Sequence, residues 1–267
     1  MTTALFVREH DLYVPQANAA GPWGGGALHG GSTAGLIAHV LELARPDEGM
    51  VLSRITIDLF RVVPSRPLRA VTEVVRPGKR IQVVQASLWD GDVEVCRALG
   101  LMLRTSEIAL PTHAPTAAEK PPGPDGIEAT SLRGSVADAD AMRLPPGLHT
   151  TIEVKRVSGE MGRGAGCAWI RVPVEVVEGV PMTPSVRAAT VSDFGNGIGQ
   201  LHLPDGYGFI NADITLHLAR EPQGEWINVD AKTIATAAGL GTVETLLFDA
   251  AGAFGQVSQS ILANRFG

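Results

Sequence analysis

Cysteine is nearly missing: Cys96 and Cys167 are the two present in 267 residues, and they form no C-x-x-C pair. That excludes a disulfide scaffold and a cysteine-based zinc site, and it points to a reducing compartment. Aromatic residues make up only 5% of the chain, and no basic stripe interleaves with them. With a formal charge of −6, the chain is not expected to bind nucleic acid. No run approaches the ~18 apolar residues of a membrane span, and the opening MTTALFVREHD lacks the apolar core of a signal peptide. A cytoplasmic protein without a membrane partner is expected. His149, His202 and His217 have no metal-ligand spacing, so neither a metal nor another cofactor is expected.

Apolar residues, at 45%, and glycine, with 31 residues, are plentiful. The stretch Gly24–Glu42, GGGALHGGSTAGLIAHVLE, organises the reading. His29 stands between Gly25-Gly26 and Gly30-Gly31. Ser32 then offers an N-cap, and Ala34, Leu36, Ile37, Val40, Leu41 and Leu43 follow at helical spacing. The helix should end near Ala44, since Pro46 cannot continue it. Glycine lets backbone approach a ligand closely, and a helix start offers N–H groups to a developing oxyanion. His29, Gly30 and Gly31 are therefore candidate substrate-binding residues, and Trp23 beside them is a candidate for the wall of a channel. The competing expectation is that the glycines merely let the helix pack tightly.

From Val51 to Leu103 the period changes to β-rich segments punctuated by Pro64–Pro67, Arg76-Pro77-Gly78-Lys79 and Asp90-Gly91-Asp92. Residues 106–147 are rich in Pro, Ala and Gly and read as a linker. The order then returns: strands over 150–157 and 167–176, a helix from Thr183-Pro184-Ser185 to Asp193, and a meander from Phe209 to Leu262. Setting Pro64 on Pro222 aligns Ile55-Thr56-Ile57 with Asp213-Ile214-Thr215, and Asp90 falls on Asp249. The chain thus reads as a duplicated unit of helix and antiparallel meander, with halves at 1–105 and 148–267.

The phrases GGALHGGSTAGL (25–36), VLSRITIDLFRVVP (51–64), NADITLHLAREPQGEWINVDAKT (211–233) and GTVETLLFDAAGAFGQVSQSIL (241–262) resemble TesB-like acyl-CoA thioesterases of the thioesterase-like superfamily. The resemblance implies an α+β double hot-dog: two antiparallel sheets, each wrapped around a central helix. It also implies hydrolysis of an acyl-CoA thioester without a covalent intermediate, and a homo-oligomer. In that family an Asp, a Thr or Ser and a Gln of the second unit hold and activate water. By resemblance these fall on Asp213, on Thr233 or Thr236, and on Gln259. Chemically, a carboxylate can take the proton of a water that an amide and a hydroxyl orient.

Other readings use the same residues differently. Asp193, at a helix end before glycines, is either a turn residue or an alternative catalytic carboxylate. Gly30-x-Ser32-x-Ala34 lacks the last glycine of a nucleophile elbow, and no β-α-β alternation surrounds it. A hydratase or dehydratase of the same fold would need an acid close to His29 in sequence, and none follows it. A non-catalytic acyl-CoA-binding protein is the principal alternative.

Overall fold

The structure, a computed structural model, describes residues 4–22, 26–114, 118–129, 132 and 145–265. Its first half runs β1 (Ala4–Glu9), β2 (Leu12–Pro15), α1 (Gly30–Leu43), β3 (Met50–Leu59), β4 (Leu68–Arg76), β5 (Ile81–Asp90) and β6 (Val93–Arg104). The second half runs α2 (Leu148–Thr151), β7 (Glu153–Ser158), β8 (Ala165–Arg171), β9 (Glu175–Val177), α3 (Pro184–Ser192), α4 (Phe194–Ile198), β10 (Tyr207–Asn211), β11 (Asp213–Leu218), β12 (Trp226–Ala235), β13 (Leu240–Asp249) and β14 (Gly252–Arg265).

Alternation of apolar and polar side chains makes the strands, as in β6, where Cys96, Ala98 and Met102 face the core. Tight turns join them. Gly91 at the β5–β6 turn has φ +58°, a conformation that suits a residue without Cβ. The strands form one continuous 14-stranded sheet rather than two separate sheets. At its centre β3 pairs antiparallel with β11, Ile57 opposite Ile214. Outward from that seam the order is β3-β6-β5-β4-β2-β1 on one side and β11-β14-β13-β12-β8-β7 on the other. Pairing across the seam removes two edges that would otherwise be exposed. Short β9 adds in parallel to β1, and β10 pairs with β14.

The strand order is alike on the two sides of the seam, but the pleat is offset by one residue from the alignment expected from the sequence. Ile55 and Ile57 point into the core, and so do Ile214 and Leu216; Asp213 lies on the opposite face of its strand from Ile214. The two-residue pleat, rather than the proline match, fixes the correspondence.

Helix α1 is buried on every side from Gly31 to Leu41, as an all-round apolar helix must be. It lies against β3–β6 and crosses α3. His29, not Ser32, is its N-cap; Ser32 is one turn inside, fully buried. The described residues of 106–147 form no strand or helix. This segment runs along the second half, where Pro122 O accepts from Trp169 Nε1 (2.7 Å) and Pro124 O from Lys155 Nζ (3.0 Å).

Candidate active site

The start of α1 meets the end of α3 because glycine lets it. A Cβ at Gly30 would come within 2.5 Å of the Asp193 carboxylate, one at Gly31 within 2.5 Å of Thr190 O, and one at Gly35 within 2.4 Å of Thr190 Oγ1. Gly30 and Gly31 thus serve helix-to-helix approach, the competing expectation above. That approach places Asp193, the C-cap of α3, against the first turn of α1.

His29 Nδ1, Asp193 Oδ2 and the amide nitrogen of Gly31 stand 3.0 Å from one another. Two acceptors at that separation repel unless a proton lies between them. The arrangement is satisfied when Nδ1 carries the proton and donates it to Asp193, while the Gly31 N–H also donates to Asp193. The acid then caps the positive end of α1. Its other oxygen, Oδ1, accepts from Asn211 Nδ2 at 2.9 Å. Burial alone would raise the Asp193 pKa, but His29, Asn211 and the Gly31 amide hold it below the ordinary carboxylate value. The His29 ring stacks on Phe194 with centroids 4.7 Å apart and lies parallel to His149 at 6.2 Å.

Gln259 lies in β14 on the core side, with no exposed surface, and among the described residues both its amide atoms lack a partner. Thr245 in β13 is buried on the same side, its hydroxyl likewise unpartnered. A Cβ on Gly195, two residues after Asp193, would sit 2.3 Å from Thr245 Oγ1 and 3.3 Å from Gln259 Oε1. Asp193, Asn211, Thr245 and Gln259 all come from the second half, and His29 comes from the first.

The other residues expected from the sequence lie elsewhere. Asp213 begins β11, half-buried, and accepts from the Ser260 amide at 2.6 Å. Thr233 donates to Gly199 O at 2.6 Å, and Thr236 to Leu240 O at 3.1 Å in an exposed turn. Among the described residues no hydrogen bond joins any of these three to Gln259. Trp23 lies outside the described residues. Neither cysteine is a poised nucleophile: burial pushes the Cys96 thiol up to about 12, and burial also raises that of Cys167. Among the described residues Ser32 Oγ has no partner, and so no base.

Two family models match the chain: the acyl-CoA thioesterase N-terminal domain over residues 19–103, and the acyl-CoA thioesterase C-terminal domain over 115–263. The chain belongs to the acyl-CoA thioesterase family. It is a thioester hydrolase by that membership. Solved structures agree at the level of fold. A candidate thioesterase from Novosphingobium aromaticivorans is 20% identical with a TM-score of 0.69, covering 97% of this chain and 98% of its own. A candidate thioesterase II from Thermobifida fusca is 14% identical with a TM-score of 0.69, covering 99% and 96%. The acyl-CoA thioesterase II TesB2 of Mycobacterium marinum is 13% identical with a TM-score of 0.62, covering 96% and 94%. No curated protein matches. In this thioesterase, Asn211, bonded to Asp193, and Thr245, close to Gly195, were not singled out from the sequence. Asn211 had a faint signal, as a polar residue just before the Asp213 strand.

Proposed function

We propose that this thioesterase hydrolyses an acyl-CoA by direct attack of water at the His29–Asp193 pair. The supporting observation is the buried contact of 3.0 Å between an imidazole of the first half and a carboxylate of the second. Asp193 takes the part that the resemblance gave to Asp213, for a physical reason. Asp213 is spent on a backbone amide at a strand start, whereas Asp193 orients an imidazole. With Nδ1–H held by Asp193, His29 Nε2 carries the lone pair that takes the water proton. Oxygen bonds to the thioester carbon, the C–S bond breaks, and the proton passes to the departing thiolate. Gln259 orients the water through its unpartnered amide. In the first turn of α1 the Gly31 N–H is held by Asp193 and the Thr33 N–H by His29 O, which leaves the Gly30 and Ser32 N–H groups for the developing oxyanion.

The symmetric strand order about the β3–β11 seam supports a double hot-dog divided as 1–105 and 148–267, with 106–147 as the connection. A cytoplasmic homo-oligomer acting in fatty acid metabolism completes this proposal, with light scattering as the check on its assembly. The activity is tested on a panel of short, medium and long acyl-CoA esters by release of free thiol. His29→Gln should lower kcat by about 10²–10⁴-fold with the fold intact. Undiminished turnover in that variant, or acyl-CoA binding without any hydrolysis by the unaltered protein, would count against the proposal, the latter in favour of a binding module.

A further inference from the structure

The β4–β5 hairpin runs on past the core. Residues 71–81 are all exposed, so the end of the hairpin is a ribbon bare on both faces. Val74 lies opposite Val84, which is buried, and so is on the inner face. Ile81, three residues before Val84 in the same strand, is on the outer one. Val75 is the extra residue of a bulge and is 54% exposed. The same ribbon carries Arg76, Lys79 and Arg80 around the Pro77-Gly78 turn, with Glu73 as its one acid. Among the described residues none of these three cations is in an ion pair, whereas Arg104 beside them is matched by Asp47. The backbone at the tip is nevertheless held. Arg104 Nε donates to Lys79 O at 2.6 Å, and the Arg104 amide donates to Arg80 O at 3.0 Å.

A single exposed valine in a strand needs no explanation. Here Val71, Val74, Val75 and Ile81 are exposed together on one fixed ribbon, next to three unmatched cations. We propose that this ribbon seats the protein on an anionic lipid surface. The valines and Ile81 enter the headgroup layer, and Arg76, Lys79 and Arg80 meet the lipid phosphates. A flat protein partner would cover one face of the ribbon, whereas a lipid interface closes around both. The cytoplasmic leaflet of a membrane has the negative potential that such cations seek. The expectation of no membrane partner rested on span length and on the net charge of −6, and neither registers a local ribbon of positive charge. Among the described residues no helix is long and apolar enough to cross a membrane, and attachment at the surface needs none.

The test sediments the full chain with phosphatidylcholine vesicles, with and without phosphatidylglycerol. The protein should bind the anionic vesicles and leave the neutral ones, and added salt should weaken the binding. Each cation near an anionic surface contributes about fivefold to partition, so Arg76→Gln, Lys79→Gln and Arg80→Gln together should lower it about 100-fold. Val74→Ser with Val75→Ser should lower it severalfold and leave the salt dependence as it was. Both variants change exposed side chains, so melting temperature and turnover of a soluble short-chain acyl-CoA should match the unaltered protein. No binding to either vesicle, equal binding to both, or binding that survives the triple substitution overturns the proposal. Binding that depends on the cations but not on the valines would point to an acidic macromolecule, and overturns it as well. Vesicle binding and thiol release are separate readouts. Absence of turnover in the unaltered protein would end the hydrolytic reading and leave this attachment untouched.

Discussion

At the scale of single residues, the site depends on where one proton sits. Asp193 has three donors around it, and they hold its pKa below the ordinary value against the effect of burial. A carboxyl with a depressed folded-state pKa contributes stability that is complete above its unfolded pKa of about 3.9. That contribution disappears as pH falls through the folded value. The gap in melting temperature between the unaltered protein and Asp193→Asn should therefore narrow as pH drops from about 5 towards 2. A gap that stays constant across that window would show that the carboxylate gains nothing from its partners. Gln259 makes a second prediction. Gln259→Leu fills the same space without orphaned polar atoms, so the protein should melt no lower while kcat drops at least tenfold or so. Gln259 was legible in the sequence through resemblance alone, since a buried glutamine has no spacing signature. Asp193 was visible as an acid at a helix end. Its partner could not be read, because the two stand far apart in sequence and only the crossing of α1 and α3 joins them.

At the scale of elements, the crossing of α1 and α3 makes the two ends of the pair comparable but unequal. Each helix is capped at its start and tied to an acid from the other. His29 meets Asp193 at one end; at the other, the Thr183 hydroxyl donates to Glu42 Oε2 at 2.7 Å. The position ten residues after the N-cap is Asp193 in one helix and His39 in the other. His39 is buried edge-on against Tyr13, with centroids 6.0 Å apart. The mirror end thus has a carboxylate, which burial pushes up in pKa, but no imidazole held against it. The returning order of helix and meander was readable from the sequence, whereas the difference in chemistry between the two ends of the crossing was not. Glycine sets the closeness of the crossing. Gly30→Ala should displace the Asp193 carboxylate, lowering the melting temperature and kcat together, with a cost of about 1–3 kcal/mol. Calorimetry and thiol release on that one variant check both halves of the statement.

At the scale of the whole molecule, the β3–β11 seam makes one sheet of two halves, and the site draws on both. A buried ion pair fixes the far side of the second half. Asp249, fully buried at the β13–β14 turn, takes both guanidinium nitrogens of Arg220 and the amides of Gln223 and Ala251. Because Arg220 is one-third exposed, removing the acid leaves a cation that water can partly reach. Asp249→Ala should cost about 2–4 kcal/mol in chemical denaturation, with the site chemistry unchanged in the folded protein. The turn role of Asp249 could be read from its match to Asp90. The face that Asp213 presents could not, since a one-residue slip in the repeat reverses every side chain of a strand. The most direct measurement sets Asp193→Asn beside Asp213→Asn on the same acyl-CoA. The assignment of the site to Asp193 requires kcat/KM to fall about 100-fold or more in the first and to change less than about twofold in the second. Loss of turnover in Asp213→Asn with an active Asp193→Asn protein would contradict it.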